Sequence, residues 1–189
     1  ALWFSIWQSI ISTLVTLILS IPIAYVFSHY DFFGKKTLYA LTFIPFVLPT
    51  IVVATAWQAF IGPHGIPSQL LEKFFSFSFN SFELHNPALL IIATHIFFNT
   101  SIAIRIICDA WVRIPRSLTD SSKLLGANPT HTWIKIILPL LKPSMISAFL
   151  LVFLFNFTSF GTVILLGEGR YITLEVEIYL QTIAFFDLH

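Results

Sequence analysis

The chain has 189 residues, 57% of them hydrophobic and 10% charged, with 21 Phe against 10 Lys plus Arg. A soluble domain carries about 25% charge, so this composition excludes an ordinary water-soluble domain, and its hydrophobicity excludes disorder. A net charge of +1 excludes nucleic acid as the main partner, because phosphate binding needs a basic excess gathered on one face.

The chain opens at Ala1 with Leu-Trp-Phe, without Met or the basic start of a signal peptide, which predicts an excerpt of a longer protein. From Ala1 to Tyr30 there is no Asp, Glu, Lys or Arg, a run longer than a soluble core helix needs. Four windows reach the length of a spanning helix, about 20 largely apolar residues. They cover 2–28, 38–61, 87–107 and 144–166, windows A to D. The A–B connector carries Lys35 and Lys36, and the C–D connector, 111–143, carries Arg113, Arg116, Lys123, Lys135 and Lys142 against Asp120 alone. Seven of the ten basic residues thus lie in two connectors that share a side. The positive-inside rule makes that side cytoplasmic and starts the N-terminus outside. The outer tail, 167–189, holds four acids and one Arg and reads as a Gly turn followed by a short amphipathic piece. The Phe-Ser alternation over 74–79 reads as an interfacial element, and Cys108, the single cysteine, as an apolar filler.

Window B carries Pro45 and Pro49 on one helical face, each removing a backbone donor. The resulting kink serves either packing or a bend along a translocation path. Window C places His95 and Asn99 on one face, as interhelical glue or as the wall of a path. Arg105 and Asp109, four residues apart, are expected to pair at its cytoplasmic end. Window D carries Asn156 and Ser159 beside a stripe of Phe153, Phe157 and Phe160, a surface suited to helix packing or to an organic solute. No window holds a carboxylate at mid-depth, and metal-ligand spacing and the common catalytic motifs are absent from the sequence. Catalysis, a cofactor and a metal site are therefore not expected in this chain.

Between windows C and D, residues 117–125 predict a short helix stopped by Gly126. Asn128 then caps a second helix with Pro129 in its first position. That helix puts Trp133, Ile134, Ile136 and Ile137 on an apolar side and is expected to end before Pro139. So much apolar surface on the cytoplasmic side invites a docked partner or contact with the lipid interface.

These residues resemble the inner-membrane permease subunits of binding-protein-dependent ABC importers, whose cytoplasmic signature runs E-A-A, three residues, Gly, nine residues, I-x-L-P. Asp120, Ser121 and Ser122 occupy the first three places, Gly126 follows, and Ile136, Leu138 and Pro139 complete the frame. The departures, Asp for Glu and two Ser for two Ala, keep charge and small size while shortening the reach of the acid. IPFVLPTIVVATAW in window B is similar to the proline-bearing second core helix of these permeases, and residues 157–179 to the ferric-iron and thiamine branch.

The resemblance implies an all-α membrane bundle like the type I importer transmembrane domain, with its last core helix beyond His189 and a second permease half fused or separate. It implies that 120–139 couples to a cytoplasmic ATPase dimer, with Gly126 and Ala127 making the tight turn. It further implies that ATP hydrolysis resides in that ATPase, that a periplasmic solute-binding protein docks outside, and that the substrate is thiamine or ferric iron. Asn99, Asn156 and Ser159 are the candidates for the path. The rivals are a passive scaffold whose basic connector holds anionic lipid, which leaves the spaced Gly, Leu and Pro unexplained, and an intramembrane enzyme built on His95, the only mid-depth acid-base group, for which the sequence shows no partner.

Overall fold

The computed structural model describes residues 1–61 and 86–186, and the connector 62–85, with the Phe-Ser element expected in it, lies outside the described residues. The first helix, α1 (Leu2–His29), owes its packing to a stripe of small and polar residues. Ser5, Gln8, Ser9, Ser12, Thr13, Thr16, Ser20 and Ala24 recur every three or four positions and are all buried. In lipid, apolar burial between helices supplies little drive, and small residues that let backbones approach take over. Helix α5 (Pro87–Val112) and helix α7 (Pro129–Phe157) pack on this stripe and on each other.

Window B is not one kinked helix. It divides into α2 (Lys35–Leu41), α3 (Ile44–Val47) and α4 (Thr50–Ile61), and its two halves are bent by 97°. Leu48, held by the proline that follows it, is extended at φ −67° and ψ 138°, and the helix is interrupted there.

Asn86 caps α5 by accepting from the Ala88 amide at 3.0 Å, with Pro87 in the first helical position. The helix runs past the expected end at 107 to Val112, because Cys108 and Trp111 are buried against α1. Helix α6 (Arg116–Leu124) follows. The expected stop before Pro139 does not occur: α7 runs from Pro129 through Pro139 and Pro143 to Phe157, with a π turn at Trp133–Ile137. A widened turn just ahead of Pro139 eases the clash between its ring and the carbonyl four residues back. Window D starts inside this helix and breaks at Thr158 and Ser159, after which come α8 (Phe160–Leu166) and α9 (Leu174–Phe186).

By length and composition α1, α5 and α7 can each cross a bilayer, and the bent α2–α4 unit can be a fourth span. The Leu174 amide donates to Ser5 Oγ at 2.9 Å, which ties the tail to the start of α1. The Trp111 ring lies 5.5 Å from His29 and 6.4 Å from Trp133, which gathers the end of α1, the end of α5 and the start of α7. The tail and the N-terminus therefore share one end of the bundle, and the α6–α7 hinge occupies the other.

Candidate functional site

The hinge follows its local sequence. Gly126 adopts φ +80°, a left-handed conformation that costs a glycine nothing, and its amide donates to the Lys123 carbonyl at 2.9 Å. Asn128 Oδ1 then accepts from the His131 amide at 2.7 Å and starts α7. Ser122 and Thr132, both buried, join hydroxyl to hydroxyl at 2.8 Å and clamp α6 to the first turn of α7. Ser122, Gly126, Ala127 and Ile136 line one recess of about 520 Å³. Asp120 and Ser121 are exposed on α6, with Asp120 3.8 Å from Lys123. Leu138 is half-buried and Pro139 exposed further along α7. Leu124 and Leu125 stand almost wholly in the open at 88% exposure each, leaving an apolar tip beside the recess.

A second cavity, of about 320 Å³, lies between the two helix breaks. Phe46, Leu48 and Thr50 come from the break in window B, and Thr158, Ser159 and Gly161 from the break in window D. Helix α5 supplies His95, Phe98 and Asn99. The breaks meet closely: a methyl group at Gly161 would stand 3.7 Å from Thr50 Cγ2.

Behind this wall runs a buried polar network. Asn99 Nδ2 donates to Asn156 Oδ1 at 2.7 Å, and Asn156 Nδ2 donates to Thr13 Oγ1 at 3.1 Å. Gln8 Nε2 donates to the Asn156 carbonyl at 2.9 Å, and Gln8 Oε1 faces His95 Nδ1 at 2.9 Å. The Asn156 carbonyl is one that the end of α7 frees from helical bonding, and Gln8 satisfies it. Asn99 and Ser159 thus stand on the cavity wall, while Asn156 is fully buried one layer back and holds Asn99 in place.

Three local expectations change. Arg105 does not pair with Asp109: its guanidinium lies over the Tyr39 ring at 4.9 Å and the Phe43 ring at 4.6 Å, where delocalised charge on aromatic faces takes the place of the carboxylate. The aromatic stripe is Phe149, Phe153 and Phe157, with neighbouring rings stacked at 6.2 and 5.8 Å, and Phe160 leaves it at the break to meet Tyr179 at 5.0 Å. His95 has a partner, Gln8. Gln8 and Thr13 are the site residues that sequence reasoning missed, and the three-and-four spacing of Ser, Gln and Thr along α1 was the available signal.

The sequence profile of the family described as "Binding-protein-dependent transport system inner membrane component" matches residues 2–185. Over 178 residues the chain is 31% identical to the thiamine transport system permease protein ThiP of Brucella abortus (strain 2308), covering 93% of this chain and 32% of that protein. It is 24% identical to the probable sulfate transport system permease protein cysT of Helicosporidium sp. subsp. Simulium jonesii, covering 85% of this chain and 57% of that protein. A crystal structure of a bacterial alginate ABC transporter, in complex with an alginate pentasaccharide-bound periplasmic protein, matches with a TM-score of 0.70 at 20% identity, covering 88% of this chain and 59% of that one.

Among the described residues the chain is an all-helical bundle that shares the fold of an ABC importer transmembrane domain. The chain belongs to the inner-membrane permease components of binding-protein-dependent ABC importers. It spans about a third of the length of the thiamine permeases that it matches.

Proposed function

We infer that this chain forms half of an ATP-driven import path, in which the hinge 120–139 receives force from a cytoplasmic ATPase dimer and the cavity between the helix breaks passes the solute. The recess lined by Ser122, Gly126, Ala127 and Ile136 beside exposed Leu124 and Leu125 supports the coupling role. Closure of two ATPases would draw two such hinges together and rock α5 and α7, which together with the broken window B bound the cavity, in alternating access. A periplasmic binding protein would deliver its cargo at the end where α1 starts and the tail lies. A second permease half completes the path, fused to this chain or separate from it.

The observation that carries the substrate reading is the cavity wall: Phe46, Phe98, Phe155 and Phe160 with His95, Asn99, Ser159 and three Thr residues, and no Lys, Arg, Asp or Glu among its described residues. Aromatic faces beside neutral polar groups suit an organic cation, whereas ferric iron calls for carboxylates and sulfate for several donors or basic groups. Thiamine, a heteroaromatic cation, is the substrate that this wall fits best. Vesicles containing the full-length permease, its ATPase and its binding protein, supplied with labelled thiamine, sulfate or ferric iron, test this. Accumulation of thiamine alone is expected, and accumulation of sulfate or iron in its place would refute the substrate.

A further inference from the structure

Two buried side-chain atoms that no described group meets, His95 Nε2 and Ser159 Oγ, belong to residues on the wall of the same cavity. The tautomer of a neutral His95 follows from the bonds that Gln8 makes. Gln8 Nε2 lies 2.9 Å from the Asn156 carbonyl, an atom that only accepts, so the amide nitrogen of Gln8 must be on that side. The Gln8 oxygen is then the atom 2.9 Å from His95 Nδ1, and it also only accepts. Nδ1 therefore carries the proton, and in a neutral imidazole Nε2 is left as a lone-pair acceptor. A buried acceptor without a donor is destabilising, and this one belongs to a residue that lines the cavity between two helix breaks.

We propose that His95 Nε2 accepts a hydrogen bond from an amino group on a flat heteroaromatic solute, with the Ser159 hydroxyl meeting the same solute edge. Gln8 is the positioning residue that holds His95 in the accepting tautomer. The proposal rests on the reading of this cavity as the solute path. His95 is 2% exposed, so the acceptor is closed off in this conformation and meets solute when α5 and the broken segments move apart. The four phenyl rings of the wall supply the faces against which a flat ring stacks.

The test uses the full-length permease in lipid vesicles with its ATPase and binding protein. Uptake of labelled thiamine, whose pyrimidine ring bears an amino group, is compared with uptake of its analogue carrying hydrogen in that place. His95→Asn keeps a donor toward Gln8 and lacks the acceptor, while His95→Gln reaches the Nε2 position. One binding protein serves all variants, so a change in preference belongs to the permease. His95→Asn is expected to lower the preference for thiamine by about tenfold, as the loss of one hydrogen bond does, through KM more than kcat, and His95→Gln to restore part of it. Nitrogen-15 NMR of His95 in the same vesicles is expected to place the proton on Nδ1, and Gln8→Leu to release it toward Nε2. Equal preference in wild type and His95→Asn overturns the proposal, as does a wild-type proton on Nε2. A wild-type complex that hydrolyses ATP in response to its binding protein yet moves no thiamine overturns the substrate reading and with it the amino donor named here, while the NMR result still decides the tautomer.

Discussion

Asn99 on α5 donates its side-chain amide to Asn156 on α7 at 2.7 Å, and this bond joins the cavity wall to the buried layer behind it. Asn156 also holds Thr13 through its own amide and Gln8 through its carbonyl, so one residue links three helices. Asn156→Leu keeps the branched shape, at a larger volume, and the Gln8 contact to the backbone but orphans the Asn99 amide. A loss of about 1–3 kcal/mol is expected, and thermal unfolding in detergent measures it. A melting temperature unchanged from wild type would show that the network does not hold the bundle.

Arg105 fixes the first half of the broken window. Its guanidinium covers Tyr39 on α2 and Phe43 just before α3, each contact contributing about 0.5–2 kcal/mol. Arg105→Lys keeps the charge and loses the flat stacking surface. Cross-linking between cysteines placed on α2 and α5 is expected to weaken in Arg105→Lys, and retention of wild-type cross-linking would show that charge alone suffices.

Much of this was legible in the sequence where the determinant is local. Asn128, Pro129 and Gly126 act within a turn of their own positions, and the cap and the left-handed glycine stand where short-range rules put them. Pro45 and Pro49 announce a disturbance, but the 97° bend depends on how α4 packs against α5 and α8. Pro139 was misjudged because its cost within a helix is offset by a π turn, and that turn is held by Ile137 and Leu141 buried in the core. Arg105 found aromatic rings from a distant segment in place of its neighbour Asp109. Gln8 was missed because α1 was read for its lack of charge, while its periodic hydroxyls and amide form the interface.

Gly167 is required for space. A Cβ there would collide with the carbonyl oxygens of Tyr171 and Val163, both backbone atoms that cannot swing away. Gly167→Ala should cost about 1–3 kcal/mol by overpacking and loosen the tail that Ser5 holds at Leu174. Faster amide exchange over 170–180 checks this, and wild-type exchange with a wild-type melting temperature would rule it out.

The central claim is that the hinge at Gly126 passes force from an ATPase to the helices around the cavity. A side chain at Gly126 meets open space, so Gly126→Asp carries only the local strain of φ +80°, about 1–3 kcal/mol, and is expected to insert and fold while blocking the docking recess. The decisive measurement is ATP-dependent thiamine uptake by the full-length complex, wild type beside Gly126→Asp at matched membrane levels. Uptake in the wild type, with a mutant that melts within a few degrees of it and accumulates nothing, is the predicted result. Wild-type rates of uptake in Gly126→Asp would contradict the coupling role of this hinge.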